Sequence, residues 1–230
     1  MQLKSEFLKL IYNRWILLVS CVVPVFAVVL IKVLNVDSSG TDLYMNKWLQ
    51  SIYLTQDLFV VIAALFMGEE NLRSTLRTGL TGTPARVKFL ACKTGCLLVW
   101  ITILLTITTL ACAVYVGTCC GFEIGMIKTI MPAYLSLLEL TLMAAGLTVI
   151  IRSQTISMAI VVALLMGIGQ MLMSLGPAMR FIPVQSVMNA FYTFGSPALL
   201  SIGTGLLCQG VWTAIVVLTA FVIFDVRAVR

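Results

Sequence analysis

Six apolar stretches, each long enough to cross a lipid bilayer, take up most of this 230-residue chain. A membrane-spanning helix needs about 20 largely apolar residues, and the stretches lie near residues 15–34, 49–67, 96–116, 130–150, 156–176 and 202–224. Hydrophobic residues make up 60% of the chain and charged residues 10%, a balance typical of proteins whose solvent is lipid. The sequence therefore predicts an all-α, polytopic membrane protein with six transmembrane helices in a single domain, residues 1–230.

The distribution of lysine and arginine predicts the orientation of the chain, because basic residues are enriched in cytoplasmic loops. Eleven of the 15 basic residues lie on one side of the predicted spans. These are Lys4, Lys9, Arg14, Arg73, Arg77, Arg86, Lys88, Lys93, Arg152, Arg227 and Arg230. Only Lys32, Lys47, Lys128 and Arg180 lie on the other. We therefore expect a plasma-membrane protein with both termini in the cytoplasm, whose net charge of +6 reflects orientation and not nucleic-acid binding.

Two segments outside the spans have distinctive patterns. Residues 1–14 place apolar side chains such as Phe7 and Leu10 at helical spacing, which predicts an interfacial helix along the inner leaflet. The alternative is that they only begin the first transmembrane helix. Residues 177–201 are apolar but broken by three prolines, so they are too interrupted to span. We expect a re-entrant or interfacial segment of the outer leaflet, which either caps the bundle or takes part in substrate passage.

The only sizeable cytoplasmic segment besides the termini is expected between spans two and three. Within residues 69–86, the pairs Leu72/Leu76 and Arg73/Arg77 are each four positions apart, which predicts a short amphipathic helix at the inner surface. On charge alone this segment would be an electrostatic anchor to anionic lipid, worth about 1 kcal/mol for each basic residue near the surface.

The order of residues in this segment resembles that in the permease subunits of ABC type-2 exporters. After its second span, that family has an acidic residue, a Gly-Thr pair, a basic residue, a leucine, a Pro-x-Arg motif and a lysine. The matching residues here are Glu70, Thr75, Leu76, Arg77, Leu80, Pro84, Arg86 and Lys93. Ser74 stands where the family usually has glycine. The stretch Ser5-Glu6-Phe7-Leu8-Lys9-Leu10, followed by Asn13-Arg14-Trp15, is also similar to the family's N-terminal interfacial helix.

The resemblance implies a membrane subunit that pairs with a second copy or a sister permease and with two cytoplasmic ABC ATPase subunits. It implies that residues 69–86 include the coupling helix, which sits in a groove of the ATPase. The coupling residues it implies are Glu69, Glu70, Arg73, Thr75, Leu76, Arg77, Pro84 and Arg86. The chain has no G-x-x-x-x-G-K-[ST] phosphate-binding loop, so ATP and Mg²⁺ are expected on the partner, and no cofactor or metal on this chain. By family analogy, the substrate would be an amphipathic molecule such as an antimicrobial peptide, a lipid or a drug.

Two acidic residues, Asp57 and Glu139, fall near the middle of spans two and four. A charge at this depth costs about 2.5–3.5 kcal/mol on insertion scales, so each is a candidate for a substrate pathway or a proton relay. The alternative is a protonated carboxyl group that forms a structural hydrogen bond between helices. A proton-coupled secondary transporter is therefore a second hypothesis, although the internal repeats and matched broken spans of such proteins are not indicated. A non-transporting immunity or sensor subunit is a third.

An enzyme is not expected. Intramembrane proteases of the CAAX-processing type also begin from a Glu-Glu motif, but here Arg73 follows that pair after two residues instead of three. The chain also has no histidine, which excludes histidine-dependent metal and acid-base sites. Small residues are instead expected to serve close helix packing. They are Ala144, Ala145 and Gly146 in span four, and Gly167 and Gly169, beside Gln170, in span five.

Overall fold

The computed structural model describes residues 2–34, 41–72, 86–121, 124–193 and 196–226. The α-helices are α1 (Gln2–Tyr12), α2 (Arg14–Val33), α3 (Thr41–Leu72), α4 (Arg86–Cys120), α5 (Ile124–Ile151), α6 (Gln154–Ala163), α7 (Gly169–Met173) and α8 (Ile202–Val226). A π-helical turn, Leu164–Ile168, joins α6 to α7, and two 3₁₀ helices, Pro177–Phe181 and Gln185–Phe191, precede α8. These ranges contain no β-strand, so the predicted all-α class is confirmed.

Among the described residues, six helical segments are long and apolar enough to cross a membrane: α2, α3, α4, α5, the combined α6 and α7, and α8. They coincide with the six predicted stretches, and the prediction of a polytopic membrane protein is confirmed. Helices α3 and α4 are longer than predicted from residues 49–67 and 96–116. A helix continues while its backbone N–H and C=O groups can pair four residues apart, so polar flanking residues such as Asp42 and Arg86 do not end it.

The N-terminal residues form a helix separate from span one. Between α1 and α2, Asn13 has an extended backbone (φ −78°, ψ 106°) and is the N-cap of α2. Its Oδ1 accepts hydrogen bonds from the backbone N–H groups of Trp15 and Ile16, two of the donors that a helix start leaves unpaired. Helix α1 packs against α2 and α4 and buries Leu10 fully. Its position along the inner leaflet stays a prediction.

Helices α3 and α5 form the centre of the bundle. Helix α5 contacts both α3 and α8, α2 and α4 pack against α3, and α6 packs against both central helices. Helices α5 and α8 approach each other closely, since a Cβ atom on Gly146 would lie 2.9 Å from Val216 Cγ1. Ala144 and Ala145 beside it are buried. The expected close packing of small residues in span four is therefore confirmed.

Candidate functional site

Glu139 lies in the seam between α5 and α8, within a short row of polar contacts. The Nε2 of Gln209 donates to the carbonyl oxygen of Ser136 (2.8 Å), and the hydroxyl of Thr213 donates to the carbonyl oxygen of Glu139 (3.2 Å). Gln209 and Thr213 are four residues apart and so lie on one face of α8, as Ser136 and Glu139 do on α5. The two helices are thus joined by polar side chains as well as by small residues.

The carboxyl group of Glu139 is held against the α8 backbone. Its Oε1 would lie 3.3 Å from a Cβ atom placed on Gly210, so the glycine leaves room for the carboxyl group. The other oxygen, Oε2, is buried and has no hydrogen-bond partner among the described residues, and the same is true of Gln209 Oε1. Buried polar atoms in proteins are normally paired, so two unpaired acceptors on facing helices mark this seam as a candidate site for a polar ligand, water or proton.

Asp57 lies on the face of α3 that meets the second half of the chain. Tyr53, one turn earlier, donates from its hydroxyl to the carbonyl oxygen of Leu165 (3.2 Å), and its ring contacts Phe191 edge-on at 5.3 Å. Asp57 Oδ1 is buried without a partner in the described chain, as is Nε2 of the adjacent Gln56. No hydrogen bond or ion pair joins Asp57 to Glu139, and neither forms an ion pair with a described residue.

Span five is interrupted where it faces Tyr53. Gly167 has φ 118° and ψ −9°, which breaks the helix inside the π-helical turn. Residues other than glycine rarely adopt such a φ, and a Cβ atom on Gly167 would meet no atom of another described residue within 4 Å. The expectation that Gly167 serves close packing is therefore wrong, because the glycine supplies a backbone conformation instead. A Cβ atom on Gly169 would lie 3.5 Å from Gln185 side-chain atoms, an ordinary van der Waals distance, and 3.1 Å from the carbonyl oxygen of Leu164, so the tight contact there is within span five. Gln170 is exposed.

The second 3₁₀ helix, Gln185–Phe191, is buried along its whole length and packs against α3, α5 and α8. A Cβ atom on Gly205 would collide with the carbonyl oxygen of Ser186, so glycine is required at that contact. Asn189 holds the following turn, since its Nδ2 donates to the carbonyl oxygens of Ser196 (3.2 Å) and Leu200 (2.7 Å). The segment 177–201 thus reaches into the helical bundle. Its depth in the membrane stays a prediction.

At the opposite end of the bundle, the N-terminal region contacts the start of the predicted coupling segment. Asn13 Nδ2 donates a hydrogen bond to Glu69 Oε2, 3.0 Å away. Nearby in the chain, Lys93 is buried with its ammonium group 5.1 Å from the centre of the Phe66 ring, a cation–π distance. The Arg86 guanidinium donates to the carbonyl oxygen of Asp225 at the end of α8 (3.2 Å). Both ends of the segment 69–86 are therefore fixed to the bundle.

Most of the implied coupling residues lie outside the part of the chain that the structure describes. Glu69 and Glu70 belong to α3 and Arg86 begins α4. Arg73, Thr75, Leu76, Arg77 and Pro84 lie outside the described residues. The coupling assignment stays a prediction.

Gln209 and Thr213 were not identified from the sequence as candidate site residues. Both are polar residues within the very apolar stretch 202–224, and polar side chains in such stretches commonly bond across helices. Their spacing of four residues, which places them on one helix face, was the available signal. Their hydrogen-bond partners could not be predicted from the sequence, because the pairing of α8 with α5 depends on the tertiary arrangement.

No family model matches this chain, and no curated protein matches it. The resemblance to ABC type-2 exporter permeases therefore rests on the residues quoted for it, and what is established is a multi-pass, all-α membrane protein.

Proposed function

We propose that this chain is the membrane-spanning permease subunit of an ATP-binding cassette exporter. In this proposal the chain lies in the plasma membrane with both termini in the cytoplasm, pairs with a second copy or a sister permease, and is driven by separate ATPase subunits that bind ATP and Mg²⁺. It moves or expels an amphipathic substrate such as an antimicrobial peptide, a lipid or a drug. The chain itself catalyses no reaction.

The observation that best supports this proposal is the hydrogen bond between Asn13 and Glu69. Glu69 is the first residue of the implied coupling segment, and Asn13 connects α1 to α2. A cytoplasmic protein that presses on residues 69–86 would therefore act on the N-terminal helix as well as on the hairpin. Such a joint surface is what an ATPase needs in order to move a permease, and an electrostatic lipid anchor needs no such connection.

Helix α3 is suited to carry a movement from the hairpin into the membrane. It is a continuous helix of 32 residues. In the half away from Glu69, Tyr53 contacts Leu165 of span five and Phe191 of the buried 3₁₀ helix. Displacement of the Glu69 end would shift these contacts as one rigid element. The interruption at Gly167 gives span five a place to bend, since breaks of this kind often occur at functional sites.

The polar seam between α5 and α8 is the proposed place of contact with a substrate inside the membrane. Glu139 Oε2 and Gln209 Oε1 are buried acceptors without partners in the described chain, so they would accept hydrogen bonds from an amide or ammonium group of an amphipathic substrate. Opening the seam requires α5 and α8 to separate at Gly146 and Gly210, where glycine allows the close contact between the helices.

The proposal is tested by purifying the chain together with an ATPase encoded beside it and measuring ATP hydrolysis and substrate efflux. Charge reversal at Glu70, Arg73 and Arg77 should leave membrane insertion intact and abolish efflux while ATP hydrolysis continues. Lys88→Glu is the matched control, since Lys88 is exposed on α4 and lies outside the implied coupling set. Wild-type efflux in all three reversals would remove the coupling assignment.

A proton-coupled secondary transporter is a second candidate, and the interrupted span five favours it. The break at Gly167 resembles the discontinuous helices that bind substrate in such proteins. Helix α3, the matching span of the first half, is continuous, which does not fit a pair of repeats. A proton gradient that drives uptake or efflux in proteoliposomes without any ATPase, and that fails in Glu139→Gln, would favour this candidate over the exporter.

A further inference from the structure

The seam between α5 and α8 contains two buried hydrogen-bond acceptors and no donor to pair with them. Glu139 Oε2 and Gln209 Oε1 are both without a hydrogen-bond partner among the described residues. The oxygen of an amide only accepts hydrogen bonds, and so does the oxygen of an ionised carboxyl group. The two atoms therefore cannot bond to each other in that state, although buried polar atoms in proteins are normally paired.

The Ser136 carbonyl group fixes the orientation of the Gln209 amide. Gln209 Nε2 donates to the carbonyl oxygen of Ser136 across 2.8 Å. A carbonyl oxygen can only accept, so the amide cannot be turned over to bring its own oxygen to Ser136. Gln209 is 1% exposed, which keeps its Oε1 away from bulk water. The Thr213 hydroxyl is not the missing donor, because it already donates to the backbone carbonyl oxygen of Glu139 (3.2 Å).

The Glu139 carboxyl group is positioned to supply this donor. Its Oε1 would lie 3.3 Å from a Cβ atom on Gly210, the residue next to Gln209, so the carboxyl group lies against the same turn of α8. On α5, the carbonyl group of Ser136 points towards the following turn, which contains Glu139, and helix side chains lean back towards the N-terminus. The amide and the carboxyl group thus lie at one level of the seam. A protonated carboxyl group has one O–H donor.

The helices around Glu139 bring no basic residue to the middle of their apolar stretches. In the described chain Glu139 forms no ion pair. The elements packed against α5 are α3, α4, α6, α8 and the second 3₁₀ helix, and α6 and the 3₁₀ helix carry no ionisable side chain. Lys93 of α4 precedes its apolar stretch, with its ammonium group beside the Phe66 ring. Within the apolar stretches of α3, α4 and α8, the ionisable residues are Tyr53, Asp57, Cys96, Cys112, Tyr115 and Cys208. None of them is basic, and a carboxylate at this depth without a counter-charge is costly.

The closed seam leaves little room for a larger group to neutralise the carboxylate. A Cβ atom on Gly146 would lie 2.9 Å from Val216 Cγ1, and one on Gly210 would lie 3.3 Å from Glu139 Oε1. An organic or hydrated cation is larger than such a gap, whereas a proton adds no volume. A single water molecule would donate to both acceptors but would leave the carboxylate charged.

We propose that Glu139 binds a proton when the seam is closed, that its Oε2–H group donates to Gln209 Oε1, and that the proton passes to water when the seam opens. The proton thereby joins the two helices by one hydrogen bond and removes a buried charge. Opening separates Glu139 from Gln209 and exposes a carboxylate, to which a cationic group can bind in place of the proton. This second step rests on the proposed contact of the substrate with the seam, and it specifies the substrate class as an amphiphile with an ammonium group.

Infrared spectroscopy of the purified chain in lipid nanodiscs tests the proton itself, because a protonated carboxyl group and a carboxylate absorb at well-separated frequencies. At neutral pH we expect a protonated-carboxyl band that is absent from Glu139→Gln and remains in Asp57→Asn. In Gln209→Leu, shown to be folded by circular dichroism, the band should shift to higher frequency because the hydrogen bond is lost. Identical spectra of wild type and Glu139→Gln in this region would show a carboxylate and overturn the proposal. An unshifted band in Gln209→Leu would overturn the assigned hydrogen bond.

The pH dependence of the melting temperature tests the link between the proton and the closed seam. The closed seam binds one proton more than the opened one, so the folded bundle gains stability as the pH falls and loses it as the pH rises. Glu139→Gln should remove this dependence, since its amide can donate to Gln209 Oε1 at any pH. This variant should melt like the wild type in acid and above it in alkali. Asp42→Asn, which removes an exposed carboxyl group, should keep the wild-type slope. Parallel curves of wild type and Glu139→Gln would overturn the proposal.

Proton release on binding tests the substrate class separately. In weakly buffered solution with a pH indicator, dodecylammonium should release about one proton per chain from the wild type and none from Glu139→Gln. Dodecanol, which has the same hydrocarbon chain without the charge, should release none. A protonated-carboxyl band without proton release by dodecylammonium would overturn the ammonium substrate class while the proton site stands. Failure of ATPase-driven efflux would overturn the exporter proposal and would change neither of these two readouts.

Discussion

Asn13 and Glu69 are 56 positions apart in the sequence, and the side-chain amide of the first donates to the carboxyl group of the second across 3.0 Å. The oxygen of the same amide caps α2. One side chain thus connects three parts of the molecule: the N-terminal helix, the first span and the end of α3. This arrangement makes Asn13 a sensitive position for testing how the predicted cytoplasmic end is held together.

Asn13→Asp should separate the two roles of this side chain. Aspartate caps a helix as well as asparagine does, so the start of α2 is preserved, but its carboxylate would face Glu69 and repel it. We expect a loss of about 1.5–3 kcal/mol of stability, the effect of losing a hydrogen bond to a charged group, measured as a lower melting temperature in detergent. Adding Glu69→Gln should restore most of the stability, since the new amide at position 69 can donate to the new carboxylate at position 13. A double variant no more stable than Asn13→Asp would show that the contact is not formed.

Gly205→Ala should disturb the contact between α8 and the buried 3₁₀ helix. The added methyl group would collide with the carbonyl oxygen of Ser186, and backbone atoms cannot move aside as a flexible side chain can. Overpacking of a core costs about 1–3 kcal/mol of folding free energy. We therefore expect a clear fall in the melting temperature of this variant. Gly203→Ala is the control, because a Cβ atom there would have no neighbour within 4 Å in the described part of the chain. Equal melting temperatures of the two variants would contradict the described packing.

Gly167→Ala tests the interruption in span five. A residue with a Cβ atom costs about 1–2 kcal/mol in a left-handed conformation, so the variant should be less stable or should straighten the helix. Straightening would move Leu165 away from Tyr53, and hydrogen exchange near residue 167 would then become slower, because a continuous helix pairs each backbone N–H with the carbonyl group four residues earlier. Gly95→Ala, at an open helical position of α4, should be neutral or stabilising. A neutral Gly167→Ala with unchanged exchange would mean that no break is required.

Gln209→Leu should weaken the seam between α5 and α8 by removing the hydrogen bond to the Ser136 carbonyl oxygen. Hydrogen bonds between membrane helices contribute about 0.6 kcal/mol on average and up to about 1.7, so a modest loss of stability is expected. Gln170→Leu, at an exposed position of span five, is the matched control. In the exporter proposal, Gln209→Leu and Glu139→Gln should also change efflux more than stability; efflux that falls only in proportion to stability would make the seam purely structural.

The spans and their order could be predicted from the sequence because a bilayer requires long apolar helices, and residues 202–224 or 15–34 satisfy this without reference to any neighbour. The ends of α3 and α4 could not be predicted, because polar residues that flank an apolar stretch can extend the same helix beyond the hydrocarbon core of the bilayer. The boundary between α1 and α2 is set by Asn13, whose side chain caps α2. Hydrophobic periodicity alone does not locate this boundary.

The candidate site was less predictable, because its partners are distant in sequence. Asp57 and Glu139 stand out as acidic residues in apolar stretches. The role of Gly167 was misjudged because a glycine in a span reads equally as a packing position or as a backbone break, and only its φ of 118° decides. The prediction of a re-entrant or interfacial segment did not specify the burial of residues 185–191, since their contacts with α3, α5 and α8 depend on the tertiary arrangement.

The most direct test of the proposed function is photo-cross-linking from the predicted coupling hairpin in intact cells. A photoreactive amino acid at Thr75 should form a covalent adduct with an ABC ATPase, identified by mass spectrometry, whereas the same amino acid at Asp42, at the other end of α3, should not. The account predicts that the adduct is recovered from position 75. It also predicts that membrane-impermeant reagents added outside the cell do not label this position. A correctly inserted chain whose position 75 yields no ATPase adduct, or is labelled from outside, would contradict the account.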